Sequence, residues 1–553
     1  MMDSSVQAQV KGSGKSGIKK YSWQIIMLFL LCMQILLVLY YGDKKEGYHE
    51  DEYYSYYSTN RTAGLYEPDR EWVDKETYRQ EFVVQPGEGF HYSQVAMVQS
   101  WDVHPPFFYF LLHTASSFFP EVFSKWLGIG VNLIAFVINF FLLSWLTYMI
   151  SEKNKKLTFL VAAVHGFNAV IISGVLFIRM YEWLTLFVLF VACLHIRAMK
   201  KNDLRFRTFL LPVMAITYLG FLTQYYYMIF LFFMASGFCI WLLWRERKLL
   251  PCFRYGVCVV TALAFAVLSY PASLSHIFRG YRGTGATTEF FNSANTKDRL
   301  SFFYGLMNDY LFDGFFLPIF LIIVFMAILL YVKRKKDKFS IGQEIVTKKW
   351  EVESPYFLLL FAVCGYFFTV SKTALLLYET SNRYQLPIYG IGMMLVIVTV
   401  YYLSNRLAVA FALSDRTKKM GLVLLFLVFL AGDMQELVSG KVLFLYEEDK
   451  GRVEYAKENA DVPVIVLYND ATPYHVWWCS EELLEYDGIY FMSEANKEKI
   501  TDEIICSSDK IIVYAADYET QEESLEMILK SVSGVNHYSL ISQKSLWKVY
   551  EFN

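Results

Sequence analysis

The chain has 553 residues, 55% of them hydrophobic and only 19% charged, with a mean hydropathy of +0.31 and a formal net charge of −2. Soluble globular chains run nearer roughly 45–50% apolar and ~25% charged, so that class is excluded. The small total charge says little alone, because the charge is segregated along the chain, and no nucleic-acid partner is expected.

Long apolar runs alternate with polar gaps, and Lys/Arg-rich patches occupy every second gap. The patches are the N-terminal tail (Lys11, Lys15, Lys19, Lys20), Ser151 to Lys156, Arg197 to Arg207, Arg245 to Arg254, Lys333 to Lys349 and Arg406 to Lys419. Short loops rich in Lys and Arg stay on the cytoplasmic side of a membrane. A spanning helix needs ~20 apolar residues. The expected spans are Ser22–Tyr41, Leu127–Ile150, Leu157–Phe177, Tyr181–Ile196, Thr208–Leu222, Tyr226–Trp244, Tyr255–Tyr270, Gly314–Val332, Pro355–Val370, Leu386–Leu403 and Met420–Ala431, about eleven in all. With the N-terminus inside, their alternation puts every basic patch in the cytoplasm. The first run follows a basic tail like a signal peptide, but it is long and lacks a small-residue cleavage site, so it reads as a retained span.

The organisation expected is therefore a cytoplasmic basic tail (1–21), a transmembrane domain (22–431) with a long first outer loop (42–126), and an extracytoplasmic C-terminal domain (439–553). Pro106–Phe119 is too short to span and reads as a helix in the outer interface, anchored by Tyr109 and several Phe. Pro271–Asp313 holds Arg279-Gly280-Tyr281-Arg282 and a Gly/Thr-rich stretch, the composition of a mobile loop. In the tail, Val464–Tyr468, Gly488–Met492 and Ile511–Tyr514 are strand-like, Glu522–Lys530 is helical, and Tyr538–Tyr550 reads as a closing hairpin. That order predicts a small α/β domain with a largely parallel sheet. It carries no Gly-rich phosphate loop. Six of the eight cysteines sit in or beside apolar runs as ordinary buried residues; export of the tail would permit a disulfide between Cys479 and Cys506.

Three sets of residues can carry chemistry, and all fall on the outer side. His49-Glu50-Asp51-Glu52-Tyr53-Tyr54 puts carboxylates beside the membrane face, followed by flat side chains that can stack on a sugar; the plain alternative is a solvated acidic loop. Trp101-Asp102-Val103-His104-Pro105-Pro106 holds Asp102 and His104 rigidly ahead of a helix, or simply starts that helix. Arg179-Met180-Tyr181, Gln224-Tyr225-Tyr226-Tyr227 and Ser381-Asn382-Arg383-Tyr384 close outer span ends. Arg suits phosphate recognition, although a lone Arg at such a place can snorkel to lipid headgroups.

Together the acidic pair, the Asp-x-His-Pro-Pro turn, Arg179-x-Tyr181 and Arg383-Tyr384 resemble bacterial membrane glycosyltransferases of the GT-C type. The likeness is to the protein O-mannosyltransferase (PMT) branch, including relatives that modify lipid A, and it covers roughly Ser22 to Ala431. It implies a polyprenyl-phosphate sugar as donor, transfer on the outer face to a glycan, lipid or protein acceptor, and a catalytic carboxylate in the first outer loop. Asp51 takes that role, with Asp102 and Glu52 as further acidic residues. Arg179, Arg383 and His104 would meet the donor phosphate, though some relatives carry Lys in place of His104. Tyr53, Tyr54, Tyr181, Tyr225 and Tyr384 would line the sugar or acceptor.

A sugar on a phosphate already has a good leaving group, so the reaction needs a base for the acceptor hydroxyl and cations for the phosphate. A single displacement would invert the anomeric centre. No metal-ligand spacing is present, although acidic residues leave room for a divalent metal. The competing class is a polytopic glycan polymerase or flippase, which would carry charges inside its spans; here Glu182 is the nearest case. A third is a sensor or scaffold whose tail is the working part. The topology predicts that an impermeant thiol reagent labels a cysteine at Ser293 from outside intact cells and spares one at Ser340. Outside labelling of Ser340 would contradict it.

Overall fold

The computed structural model describes residues 4–61, 68–340, 354–519 and 521–553. Lys348 and Lys349 of the fifth basic patch, and Thr62 of an Asn60-Arg61-Thr62 sequon, lie outside them. Among the described residues, nine helices are long and apolar enough to cross a membrane. A tenth is Lys155–Phe167 with Ala169–Leu176, bent by 58°. The eleventh expected span falls within helix Asp415–Val438, outside that set. The chain is thus a polytopic helical membrane protein with a C-terminal sheet domain.

The basic patches meet at one end of the bundle. Lys155 lies over the Trp23 ring at 5.4 Å, Asn154 Nδ2 donates to Tyr401 OH at 2.8 Å, Lys248 Nζ donates to Asn202 Oδ1 at 2.6 Å, and Lys333 lies over the Phe411 ring at 6.0 Å. The opposite end carries the polar elements and the sheet. There the first helix, α1 (Ser4–Asp43), leads into α2 (Glu50–Asn60).

The sheet has six strands in the order β1-β3-β2-β4-β6-β5, where β1 is Glu71–Asp74, β2 Val464–Tyr468, β3 Gly488–Ser493, β4 Ile511–Ala516, β5 Tyr538–Lys544 and β6 Trp547–Phe552. Only β3-β2-β4 are parallel; β1, β6 and β5 add antiparallel edges. The sheet is mixed rather than largely parallel. Its centre follows the rule for covered parallel strands, with β2 and β4 buried at every residue. The hairpin expected at the end of the chain is β5–β6.

Strand β1 comes from the first long loop, so the sheet is completed by a segment about 420 residues away in sequence from its partner strand (Glu71 pairs with Phe491). Sheet and bundle share one apolar core. Phe177 stacks on Phe444 with centroids 4.2 Å apart, Tyr57 packs on Trp477 at 4.3 Å, and Tyr41 OH donates to Leu437 O at 3.0 Å.

Three expectations are corrected. Tyr109 of helix Phe107–Phe118 is not an interfacial anchor: with Phe108 and Leu112 it is fully buried, because the helix packs against α2 and helix Lys125–Ile150, while Phe118 stays exposed. The Pro271–Asp313 segment is not an irregular loop but three helices, Ala272–Phe278, Tyr281–Phe291 and Thr296–Leu311. Cys479 and Cys506 are free, one buried inside the domain and one partly exposed.

Candidate active site

The site is built on the first turn of α2. His49 caps the helix, its Nδ1 accepting from Asp51 N at 3.0 Å, while Glu52 reaches back to accept from His49 N at 2.6 Å. This reciprocal capping box fixes where the helix starts. It sends the adjacent carboxylates in different directions, since neighbours on a helix do not share a face.

Glu52 turns inward. One oxygen takes Lys45 Nζ at 2.9 Å together with His49 N; the other takes Ile178 N at 2.7 Å. Lys45 also donates to Phe444 O at 2.7 Å. Both side chains are fully buried. Glu52 therefore does not reach the cavity described below, and its oxygens are engaged in holding the chain break that carries Arg179.

Asp51 turns toward that cavity. Its Oδ2 is 2.9 Å from Arg383 Nη1, at the start of helix Asn382–Ala410. Arg179 sits in the short break before helix Tyr181–Lys201. Its Nη1 donates to Asp51 O at 3.2 Å, Ser55 Oγ at 3.2 Å and Tyr109 OH at 3.0 Å. Its Nη2 lies 3.2 Å from His104 Nε2, and His104 Nδ1 lies 2.7 Å from Asp102 Oδ2. The distances fit an imidazole that donates from Nδ1 to Asp102 and accepts at Nε2 from Arg179. Asp102 and His104 thus form a relay behind Arg179.

These contacts set the charge states. Burial alone would push the Asp51 carboxyl up, but the Arg383 and Arg179 guanidiniums override it and hold Asp51 well below the usual carboxylate range. Burial likewise opposes at Asp102, and the hydrogen bond from His104 Nδ1 with the nearby Arg179 charge holds its carboxyl below the usual carboxylate range. Burial pushes His49 down to about 3, so it caps α2 as a neutral ring. Arg383 is not saturated: it lies between the Phe177 and Tyr384 rings at 5.2 and 5.1 Å, and its Nε and Nη1 hydrogens, like Nε of Arg179, lack an aligned hydrogen-bond acceptor.

All this faces one cavity of about 1060 Å³. Asp51, His104, Arg179 and Arg383 line it, as do Tyr181, Tyr225 and Tyr384. Asp102, Glu52, Tyr53 and Tyr54 do not. Asp102 stands behind His104. Tyr53 is fully buried against Tyr48 and Phe82, and Tyr54 packs edge-on against Trp477 at 5.1 Å. The stacking expected of Tyr53 and Tyr54 on a sugar is replaced by packing within the first outer loop for Tyr53 and against Trp477 of the C-terminal domain for Tyr54.

The cavity wall also has residues beyond the three sets that the sequence singles out. Arg282, Arg299 and His276 come from the Pro271–Asp313 helices. Arg299 is nearly buried, with Nε donating to Ser371 O at 3.1 Å. His276 bridges Tyr225 OH at 2.9 Å and Ser100 O at 3.2 Å, tying this segment to the turn ahead of Asp102. The Arg279–Arg282 cluster was a visible signal, but composition alone gave it no address. Four arginines against two carboxylates, Asp51 and Glu289, the latter 3.5 Å from Arg299, leave the lining with an excess of positive charge that suits an anionic ligand. Among the described residues no three His, Cys, Asp or Glu side chains converge as a metal site.

As a fold, the chain is similar to ArnT from Cupriavidus metallidurans bound to undecaprenyl phosphate, with a TM-score of 0.53 at 10% identity over 96% of this chain and 98% of that one. Looser likenesses are the archaeal oligosaccharyltransferase AglB from Archaeoglobus fulgidus in complex with an inhibitory peptide and a dolichol-phosphate (TM-score 0.46, 10% identity, 94% and 72% of the two chains) and the Archaeoglobus fulgidus oligosaccharyltransferase complex with Zn and sulfate (0.43, 12%, 88% and 66%). No family model matches, and no curated protein matches in sequence. The likeness to ArnT shows the GT-C fold.

Glu52 and Asp51 of α2 should separate by stability. Glu52→Ala leaves the Lys45 charge buried and unpaired and should cost about 3–5 kcal/mol, read as a large drop in thermal unfolding temperature in lipid. Asp51→Asn keeps an oxygen beside Arg383 at the edge of a cavity that water can fill, so it should cost less. Equal losses would contradict this division.

Proposed function

We propose that this chain is a membrane glycosyltransferase that moves a sugar from a polyprenyl-phosphate donor to an acceptor hydroxyl in one inverting displacement. The observation that carries this reading is the Asp51 carboxylate paired with Arg383, with Arg179 on the main-chain oxygen of the same residue, in the cavity at the polar end of an apolar bundle. The likeness to ArnT, whose structure holds undecaprenyl phosphate, supports a lipid-phosphate donor. The residues shared with the PMT branch support the same class. We place the cavity and the sheet domain outside the cell and the basic end inside, as the charge pattern favours.

In the resting site Asp51 is a poor base, because two guanidiniums stabilise its ionised form. The donor phosphate competes for those guanidiniums and adds negative charge beside the carboxylate. Both effects raise the affinity of Asp51 for a proton. The acceptor hydroxyl then gives its proton to Asp51 as its oxygen forms the new bond to the anomeric carbon. The bond from that carbon to the phosphate oxygen breaks, its electron pair leaving with the phosphate, where Arg383 and Arg179 meet the growing charge. Asp102 and His104 keep Arg179 aimed, Glu52 keeps α2 in place, and Tyr181, Tyr225 and Tyr384 form the walls for sugar and acceptor. A flippase fits less well, since Glu182 is bonded to Asn139 at 2.7 Å away from the cavity.

The test is transfer by purified protein in lipid, with a panel of polyprenyl-phosphate sugars. Wild type should release polyprenyl phosphate and glycosylated acceptor with at least one donor. Arg383→Gln should weaken donor binding by about 1.5–3 kcal/mol, and Arg383→Lys should recover only part, since it lacks the planar fork. Unchanged affinity in Arg383→Gln would remove that residue from the phosphate site. No turnover with any donor would count against the transferase reading.

A further inference from the structure

A second cavity, of about 720 Å³, lies between helices Phe316–Ser340, Asn382–Ala410 and Asp415–Val438. That volume is within the range of ligand pockets, ~300–1,000 Å³. The slot runs most of the length of the last helix, from Thr417 to Glu436, and its walls are mainly apolar, with Ile322, Val400, Leu424 and Val428 among them.

One end differs. Asp313, Asp433 and Glu436 all line it there, although Asp433 is 5% and Glu436 1% exposed. Asn168 Nδ2 bridges Asp433 Oδ1 at 3.0 Å and Glu436 Oε2 at 3.2 Å. The remaining oxygens, Asp433 Oδ2, Glu436 Oε1 and Asp313 Oδ2, have no hydrogen-bond donor. Lys441 supplies one positive charge, 2.6 Å from Asp313 Oδ1 and 3.9 Å from Glu436 Oε1. Three carboxylates against one ammonium, with oxygens left open in a buried place, call for an N–H donor carrying positive charge.

We propose that this slot binds a membrane phospholipid with a primary-ammonium headgroup. An acyl chain fills the apolar length, the ammonium donates to Asp433 and Glu436, and the lipid phosphate lies beside Lys441. The tail of the glycosyl donor is a poor occupant, because its phosphate would face three carboxylates; the arginines are in the other cavity. A quaternary ammonium has the charge but no N–H to give. The site is independent of the transfer reaction, so neither reading stands or falls with the other.

The test is lipid retention by the full-length protein, purified in detergent and equilibrated with an equimolar mixture of phosphatidylethanolamine, phosphatidylcholine and phosphatidylglycerol of identical chains, then read by native mass spectrometry. Wild type should retain phosphatidylethanolamine at least about tenfold over the other two, the size expected for a charge-assisted hydrogen bond. Asp433→Asn with Glu436→Gln should abolish that preference. A second variant guards against misfolding: Gly421 and Gly432 both line the slot, and an added Cβ at either meets nothing within 4 Å. Gly421→Leu with Gly432→Leu should therefore block retention of the lipid without disturbing the helix contacts. Equal retention of the three lipids by wild type would overturn the proposal, as would a preference that survives in both variants.

Discussion

One guanidinium, Arg383, pairs with the Asp51 carboxylate while a second, Arg179, holds the Asp51 main-chain carbonyl and adds its charge nearby, and the rest of the polar architecture serves that arrangement. Burying Arg179, Arg383 and Asp51 together is costly unless each finds a partner. The capping box fixes the start of α2, Lys45 and Glu52 lock that helix to the break holding Arg179, and the Asp102–His104 pair holds Arg179 from the other side. The result is neutral enough to persist without ligand, yet leaves arginine N–H groups uncommitted. An anion entering the cavity meets donors already in place, so little reorganisation opposes binding.

The sheet domain is part of this support. It takes β1 from the first long loop, accepts Lys45 on Phe444 O, and covers Tyr54 and Tyr57 with Trp477. The loop that carries Asp51 is thus held at both ends, by the bundle and by the sheet. That gives the C-terminal domain a physical role in keeping α2 where it is, whatever else it binds.

Much of the bundle was legible because bilayer thickness and loop charge are written in composition, and both act locally. The strands of the tail were legible for the same reason, as short β-branched and aromatic runs. Asp51, His104, Arg179 and Arg383 were also visible, each at the end of an apolar run, and the fold brings them together. Direction was not legible. Asp51 and Glu52 are neighbours, but one reaches the cavity and the other a buried lysine; Tyr53 and Tyr54 look like a sugar platform until Tyr53 is seen buried against Tyr48 and Phe82 and Tyr54 covered by Trp477. Helix Phe107–Phe118 reads as interfacial because amphipathic surface and buried helices share one pattern. Strand β1 is four residues long, and its pairing with β3 is set by long-range packing that no local window holds. Arg282 was visible beside Arg279 but without an address, and Arg299 stood in a segment whose composition suggests a mobile loop, which helical packing overrode.

The claim at the centre is that Asp51 competes with the donor phosphate for the arginines and becomes the base once it loses them. It is tested most directly by measuring donor affinity and single-turnover rate together for wild type and Asp51→Asn in one lipid background. The rate should fall by ~10²–10⁴, the usual worth of a general base, while the donor binds at least as tightly as to wild type. A variant that keeps near-wild-type turnover, or that loses donor affinity in step with rate, would contradict it.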